Sequence, residues 1–311
     1  MIPSKMLCVA ACLTLMGEGS ATAEQIAIGF EAAEGYTPST SINGQPAVGA
    51  KWILNKPAYD QEVSNAVGAA HSGTQAFRWS NKYFDTVVQA IASPFLTVPA
   101  GETGANANGG TTPAPAGSNH FAQDFWFRSV STSADPGLNV NVSADDGADN
   151  RMTFFRIREN AGSLEAVYQG YDAGTGTFPE YPVASGLGWG TWYHVHIDVD
   201  FFDGPSNDVV RVYFGTSPAL GVSDLKLTST TWEDFFGVGQ KVAVNSLLFR
   251  LKDDPGAGNV PQGVYMDDLS FLSGPIGGGP VSQVPTLGHL GLALLTLLLA
   301  ASGLLGLRLW G

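Results

Sequence analysis

The chain has 311 residues, and its 28 acidic side chains outnumber its 15 basic ones, which gives a formal net charge of −13. Such an acidic surface disfavours binding to nucleic acid or to anionic membranes. The stretch between the two ends has the length of one large β-sandwich domain.

The first 23 residues have the pattern of a secretory signal peptide. Lys5 gives a positive start, residues 6–16 are apolar, and Ala21 and Ala23 form a small-residue cleavage site that would leave Glu24 as the new N-terminus. A buried first helix and a lipoprotein cleavage site are the alternatives. Signal peptidase is therefore an expected partner. Both cysteines of the chain lie in this segment, so the exported domain is predicted to have no disulfide and no thiolate metal site.

Apolar and polar residues alternate with a period of two through much of residues 24–273, which predicts a single all-β ectodomain. Strands are predicted at 26–30, 75–80, 121–130, 138–143, 152–158, 164–168, 193–201, 210–214, 246–252 and 264–272. Residues 100–119 are mostly Gly, Ala, Thr and Pro and are predicted to form a surface excursion.

Two turns carry oxygen ligands of the kind that calcium prefers. Asp145, Asp146 and Asp149 lie in one turn, and a second run, residues 203–208, ends in Asp208. Calcium takes about six to eight oxygen ligands, but Asp and Asn are also common turn formers. No cofactor is required by the sequence, and Ca²⁺ at one of these turns remains open beside the interpretation as simple turns.

The aromatic stretch at residues 168–182 is rich in turn-forming residues and is predicted to be a loop. Tyr171, Phe178 and Tyr181 are candidates for an exposed rim that stacks against sugar rings. Most other aromatic side chains are expected in the core of the sandwich.

The predicted strand at 193–201 carries an unusual polar set. His194, His196, Asp198 and Asp200 alternate with apolar residues, so all four share one face of the strand. Two imidazoles with carboxylates beside them could bind a transition metal or hydrogen-bond sugar hydroxyls. The alternative is a solvated outer face of a half-exposed strand.

The last part of the chain predicts a membrane anchor. Residues 274–283 are rich in Gly and Pro and predict a linker. Residues 290–307 contain no charge and would form ~27 Å of helix at 1.5 Å per residue, close to the ~30 Å of a hydrocarbon core. Arg308 follows this span, which favours a cytoplasmic C-terminus and an external domain.

The residues around this span resemble the IPTL-CTERM sorting signal of Gram-negative bacterial surface proteins. The positions that carry the resemblance within 284–311 are Val284, Pro285, Thr286, Leu287, Gly291 and Arg308. The chain departs from the pattern at residues 288–290, and one basic residue stands where that family has several. The resemblance implies recognition by an exosortase-like sorting enzyme in the inner membrane. The domain would then face the periplasm from its anchor or, after cleavage near the motif, reach the cell surface.

The ectodomain resembles concanavalin A-like jelly rolls of the laminin G and lectin type. The segments that carry the resemblance are 28–45, 71–81, 125–129, 191–204 and 264–271. The resemblance implies that the first and last strands pair, which would place residues 26–31 beside 264–271. Named relatives of this fold bind or cleave glycans, so a polysaccharide ligand is an expectation that the fold by itself does not establish.

The sequence carries no standard catalytic motif. The glycosidase of this fold has Glu-x-Asp-x-x-Glu on one strand, which points its carboxylates at the sugar, and this run is absent. Motifs of serine hydrolases, zinc proteases and phosphate loops are absent as well. We therefore expect a non-catalytic glycan-binding or matrix-interaction module and no enzyme. A glycoside hydrolase or lyase of this fold and a purely structural surface protein are the alternatives.

Overall fold

The computed structural model describes residues 23–55, 60–81, 90–103, 113–236, 242–251 and 262–277. The strands in these ranges are β1 (Glu24–Ile28), β2 (Thr40–Ser41), β3 (Ile53–Leu54), β4 (Gln61–Ser64), β5 (Ala76–Trp79), β6 (Ala90–Ala92), β7 (His120–Ser129), β8 (Asn139–Asp145), β9 (Phe155–Asn160), β10 (Ser163–Gln169), β11 (Glu180–Leu187), β12 (Tyr193–Asp200), β13 (Val209–Gly215), β14 (Leu225–Ser229), β15 (Ser246–Leu251) and β16 (Val264–Gly274). Three short 3-10 helices lie at Ala32–Glu34, Val222–Asp224 and Glu233–Phe236.

The strands form two antiparallel sheets, which confirms the prediction of an all-β sandwich. In the part of the chain that is described, the larger sheet has the order β14-β13-β12-β7-β16-β5-β4-β2, with β1 also paired to β16. The smaller sheet has the order β11-β10-β9-β8-β15-β6-β3. The predicted pairing of the first and last strands is confirmed, because Ile26 lies opposite Phe271 and Ile28 opposite Leu269.

The core lies between the two sheets and is strongly aromatic. Trp52 of the segment before β3 packs against Phe249 of β15 and Phe77 of β5, each with ring centroids 5.4 Å away. All three side chains are fully buried. Burying a large apolar side chain stabilises the fold by roughly 1.5–3 kcal/mol, so these contacts hold the sheets together.

Residues 180–182, the end of the loop predicted at 168–182, differ from the prediction because they begin strand β11. The strand is the outermost one of the smaller sheet. An edge strand tolerates Pro182, which made the end of this stretch look like a loop. The pairing of β11 with β10 also shifts register between Leu164 and Val167, as strands with such residues often do.

Several predicted segments lie outside the described residues. They are the signal peptide up to residue 22, the excursion at 104–112, and the end of the linker with the sorting motif and apolar span at 278–311. Within the described ranges, the structure has no helix long and apolar enough to cross a membrane.

Candidate functional site

The polar face of β12 forms the centre of the candidate site. Tyr193, Val195, Ile197 and Val199 join the core, so period two places the four polar side chains of β12 on the outer face of the larger sheet. These side chains are buried, with His194 only 2% and Asp198 only 9% exposed. The face is therefore not the solvated surface that was one interpretation of the sequence.

Three imidazoles alternate with three carboxylates across β12 and β7. We call this set the His–Asp row; in the order of their contacts its members are His194, Asp124, His196, Asp198, His120 and Asp200. The row exists because β12 and β7 pair in a register that sets Asp124 opposite His196 and His120 opposite Asp200.

Asp124 joins the two histidines of β12. His194 Nε2 lies 2.8 Å from Asp124 Oδ1, and His196 Nδ1 lies 3.1 Å from Asp124 Oδ2. The second ring nitrogens are also engaged: His194 Nδ1 lies 2.8 Å from the Ser217 carbonyl oxygen, and His196 Nε2 lies 2.9 Å from Asp198 Oδ1. A metal-binding imidazole needs one nitrogen for the ion. The arrangement therefore does not fit the transition-metal interpretation of this strand.

The other half of the row ends in a guanidinium. His120 Nδ1 lies 2.7 Å from Asp200 Oδ1, and His120 Nε2 lies 3.6 Å from Asp198 Oδ1. Arg211 of β13 donates from Nη1 to Asp200 Oδ2 at 2.6 Å. The Arg211 side chain is 34% exposed, so the row reaches solvent at this residue.

The charges of the row stabilise one another. Burial alone would lower the pKa of His196, but its hydrogen bonds to Asp124 and Asp198 raise that pKa to about 9. Burial alone would raise the pKa of Asp124, but hydrogen bonds from His194 and His196 lower it to about 2. The same competition leaves the pKa of Asp200 below its usual value, because His120 and Arg211 bond to it. His196 is therefore a cation near neutral pH, held between two carboxylates.

Tyr213 of β13 lies beside the row and is half-buried. It is opposite His196 in the strand register, and the centroids of the two rings are 5.6 Å apart. Burial and the negative charge of Asp198 raise the pKa of Tyr213, so the phenol keeps its proton. The hydrogen bond to Asp200 raises the pKa of Arg211. A ligand on this face would meet a phenol donor and a guanidinium side by side.

An aromatic stack continues the face beyond His194. Trp126 of β7 stacks on the imidazole of His194 with centroids 4.7 Å apart, and on His71 at 3.8 Å. A small depression of about 10 Å³ lies between β7 and β16, and its lining includes Asp124, His196 and Ser270. A volume of this size holds one water, so a larger ligand would lie across the face.

The predicted aromatic rim belongs to the other sheet. Tyr171 and Phe178 are half-buried. The ring centroids of Tyr171 and Phe235 are 5.4 Å apart, and those of Phe178 and Trp232 are 4.7 Å apart. Tyr181 lies on β11 and is 38% exposed. These three residues are not members of the His–Asp row, and the structure does not bring them onto its face.

The predicted calcium turn uses its carboxylates mainly for local contacts. Asp145 accepts a hydrogen bond from the Gly147 N–H, and Asp146 accepts from the Ala148 N–H. Asp149 forms an ion pair with Arg250 at 3.2 Å. These contacts are those of a tight turn tied to β15.

Sequence reasoning missed the partners of β12. They are His120, Asp124, Arg211 and Tyr213. Period two does place His120 and Asp124 on one face of β7, but that they lie opposite β12 depends on the strand register, which no local pattern gives.

No known protein family and no curated protein matches the chain. Among solved structures, it is similar to an alginate lyase mutant in complex with alginate tetrasaccharide, with 12% identity, a TM-score of 0.47, and coverage of 79% of this chain and 96% of the other. The chain is also similar to an endo-beta-1,4-glucuronan lyase from the fungus Trichoderma reesei, with 16% identity and a TM-score of 0.41. The match covers 77% of this chain and 96% of the lyase. An alginate lyase from Pseudomonas aeruginosa gives 9% identity, a TM-score of 0.40, and coverage of 68% and 85%.

These comparisons contradict the prediction of a non-catalytic binding module and the prediction that the chain is not an enzyme. Both predictions depended on the absence of standard catalytic motifs, the glycosidase motif first among them, and the similar structures are lyases. Elimination does not need the paired carboxylates of a glycosidase, so the absence of that motif was no evidence against catalysis. Identities this low show the fold alone, and the chemistry has to be argued from the residues of this chain.

Proposed function

We propose that the chain is a lyase that cleaves an acidic polysaccharide by β-elimination on the outer face of its larger sheet. The observation that carries the proposal is the His–Asp row with the phenol of Tyr213 and the guanidinium of Arg211 beside it. This was the enzyme alternative of the sequence analysis.

The side chains of this face match the needs of elimination from a uronic acid unit. The carbon next to the sugar carboxylate loses a proton, a carbon–carbon double bond forms, and the bond to the leaving glycosidic oxygen breaks. Arg211 is exposed enough to pair with the sugar carboxylate and to stabilise the charge that develops on it. Tyr213 keeps its proton and could give it to the leaving oxygen as a general acid, while water accepts the proton from carbon and solvent then returns a proton to the phenolate.

Asp124 and Asp200 do not suit the hydrolase alternative. A glycosidase needs one carboxylic acid with a raised pKa to protonate the leaving group. The pKa of Asp124 is lowered to about 2, and that of Asp200 is also lowered. Both carboxylates therefore stay ionised and position the imidazoles.

The net charge of −13 does not prevent an anionic substrate from binding here. Exposed charges beyond about 8 Å are largely screened at physiological ionic strength. At contact distance the substrate carboxylate would meet the guanidinium of Arg211, whose side chain is 34% exposed.

The test is incubation of the full chain with alginate, glucuronan and a neutral glucan, with the ultraviolet absorbance of the new double bond as the readout. We expect absorbance to rise with an acidic polysaccharide. Tyr213→Phe should lower the rate about 10²-fold or more, since general acid–base groups contribute about 10²–10⁴-fold. Tyr181→Phe, on the exposed edge strand, is the matched control and should keep the rate.

Two results would contradict the proposal. One is a folded protein that leaves every acidic polysaccharide intact. The other is a Tyr213→Phe variant as fast as the wild type. Cleavage without new absorbance would indicate a hydrolase instead.

We also propose that this domain is a concanavalin A-like jelly roll that is exported and then tethered or sorted through its C-terminal segment. The paired first and last strands support the fold assignment, and the sequence of residues 284–311 supports the anchor. Mass spectrometry of the protein from membranes and from the cell surface tests this. A surface form that ends near Thr286 indicates sorting, whereas a soluble internal protein that still begins at Met1 would contradict export.

A further inference from the structure

Three buried carboxylates converge just beyond the end of β12, outside the His–Asp row. Glu102, Asp208 and Glu233 are 3%, 1% and 0% exposed. Each offers an oxygen that lies within 4.8 Å of the others. We call these three residues the acidic cluster.

The cluster joins separate segments of the chain. Glu102 follows the bridge between Ala100 and Val244, Asp208 immediately precedes β13, and Glu233 begins the third 3-10 helix. Sequence analysis singled out the run at 203–208 but could not find the other two segments.

Backbone N–H groups hold the carboxylates in place. The Gly204 N–H donates to Glu102 Oε2 at 2.9 Å, and the Phe202 N–H donates to Asp208 Oδ1 at 3.0 Å. The Asn207 N–H donates to Glu233 Oε1 at 2.7 Å. The loop between β12 and β13 thus wraps its N–H groups around the cluster.

One oxygen of Glu233 lacks a hydrogen-bond partner. Glu233 Oε2 is buried and has no hydrogen-bond partner in the protein. Glu233 is also 0% exposed, so bulk solvent does not reach this oxygen. A buried carboxylate oxygen without a partner is costly. A cation would satisfy this oxygen and offset the repulsion among three buried acids at once.

The donor set favours a hard cation such as calcium. All the ligands are carboxylate oxygens, which favour hard cations over zinc or copper. Calcium binds oxygen at about 2.3–2.6 Å, so oxygens on opposite sides of one ion lie about 4.6–5.2 Å apart. The three oxygens lie within 4.8 Å of one another, which allows them to bind one ion of this size, whereas Mg²⁺ usually keeps several of its waters and is not bound by an all-protein set.

We propose that Glu102, Asp208 and Glu233 bind one Ca²⁺ that fastens the β12–β13 loop to the segment at 100–103 and to the third 3-10 helix. The site is separate from the proposed elimination chemistry, and water or backbone oxygens would complete the coordination.

The test is the thermal unfolding of the full chain after removal of metal with a chelator. Addition of CaCl₂ should raise the midpoint by about 5–10 °C at a concentration of about 100 times Kd, and calorimetric titration should give one ion per chain. MgCl₂ at the same concentration should have a smaller effect.

Variants decide where the ion binds. Glu233→Gln removes the charge and should abolish the calcium shift, and Glu102→Gln is a second variant in case the first does not fold. Asp146→Asn, in the turn predicted from sequence, is the matched control and should keep the full shift. An unchanged midpoint in the wild type, or a shift that survives Glu233→Gln and is lost in Asp146→Asn, would overturn the proposal. These readouts do not depend on polysaccharide cleavage.

Discussion

The His–Asp row and the acidic cluster both bury carboxylates, but they balance the charge in different ways. In the row, Asp124 lies between two imidazoles, and hydrogen bonds from them lower its pKa to about 2 despite its burial. In the cluster, Asp208 is held by a backbone N–H and the Thr231 hydroxyl. There, burial and the charge of Glu233 raise the pKa of Asp208 to about 7.

The source of the balancing positive charge determines what the His–Asp row and the acidic cluster can each do. The row carries its own cations, so its side chains are fixed before any ligand arrives, as electrostatic catalysis requires. The cluster depends on a cation from outside, so it can respond to the ion concentration. The next experiments break the balance in the row and leave the cluster intact.

Removing Asp124 should have the largest effect on stability. Asp124→Ala leaves His194 and the His196 cation without their shared carboxylate. Breaking a buried pair from one side costs about 3–5 kcal/mol, and we expect a loss of this size in the free energy of unfolding from urea titrations. Asp172→Ala, in an exposed turn, is the control, and its loss should be much smaller. Equal losses in the two variants would show that the row is not a coupled unit.

The pH dependence of stability should be nearly as large. The pKa of His196 is raised in the folded protein to about 9, so its contribution is complete below the unfolded pKa of about 6.5 and disappears as the pH rises through 9. The contribution of Asp124 is complete above about pH 4 and disappears as the pH falls through 2. Urea unfolding at several pH values should therefore show a loss of about 3 kcal/mol between pH 6.5 and 9.

His196→Gln is the control for that pH profile. The amide does not titrate, so the decline between pH 6.5 and 9 should largely vanish, although the variant is less stable at every pH. A decline that persists in His196→Gln would assign the titration to another group.

The sequence predicted the strand that carries the row better than the row itself. Alternation in residues 193–201 is strict, and the strand is observed at Tyr193–Asp200. The face of His194 and Asp200 followed from period two, because alternate side chains share a face. Their burial did not follow, because it depends on β7, whose place beside β12 is fixed by long-range pairing.

The acidic cluster was less predictable for the same physical reason. Asp208 lies in a run with the composition of a calcium loop, but Glu102 and Glu233 reach it from segments far away in the chain. Local composition predicts where turns form. Which turns lie next to one another depends on how the two sheets pack, and local composition does not predict this. Strand β11 shows the opposite error, since the turn-forming residues of 168–182, with Pro182 among them, indicated a loop at residues where an edge strand begins.

Substitution of Arg211 has the smallest expected effect on stability. It also separates most clearly a structural role of this residue from a role in substrate binding. Its side chain is 34% exposed, and the buried Asp200 keeps its contact with His120 when the guanidinium is removed. Arg211→Gln should therefore lower the free energy of unfolding less than Asp124→Ala does, whereas KM for an acidic polysaccharide should rise about tenfold or more, since a charged contact is worth about 1.5–3 kcal/mol. Arg250→Gln, whose ion pair lies in the turn at Asp149, should leave KM unchanged. A large loss of stability with an unchanged KM would make Arg211 a structural end of the row, and the substrate carboxylate would then have to be held elsewhere.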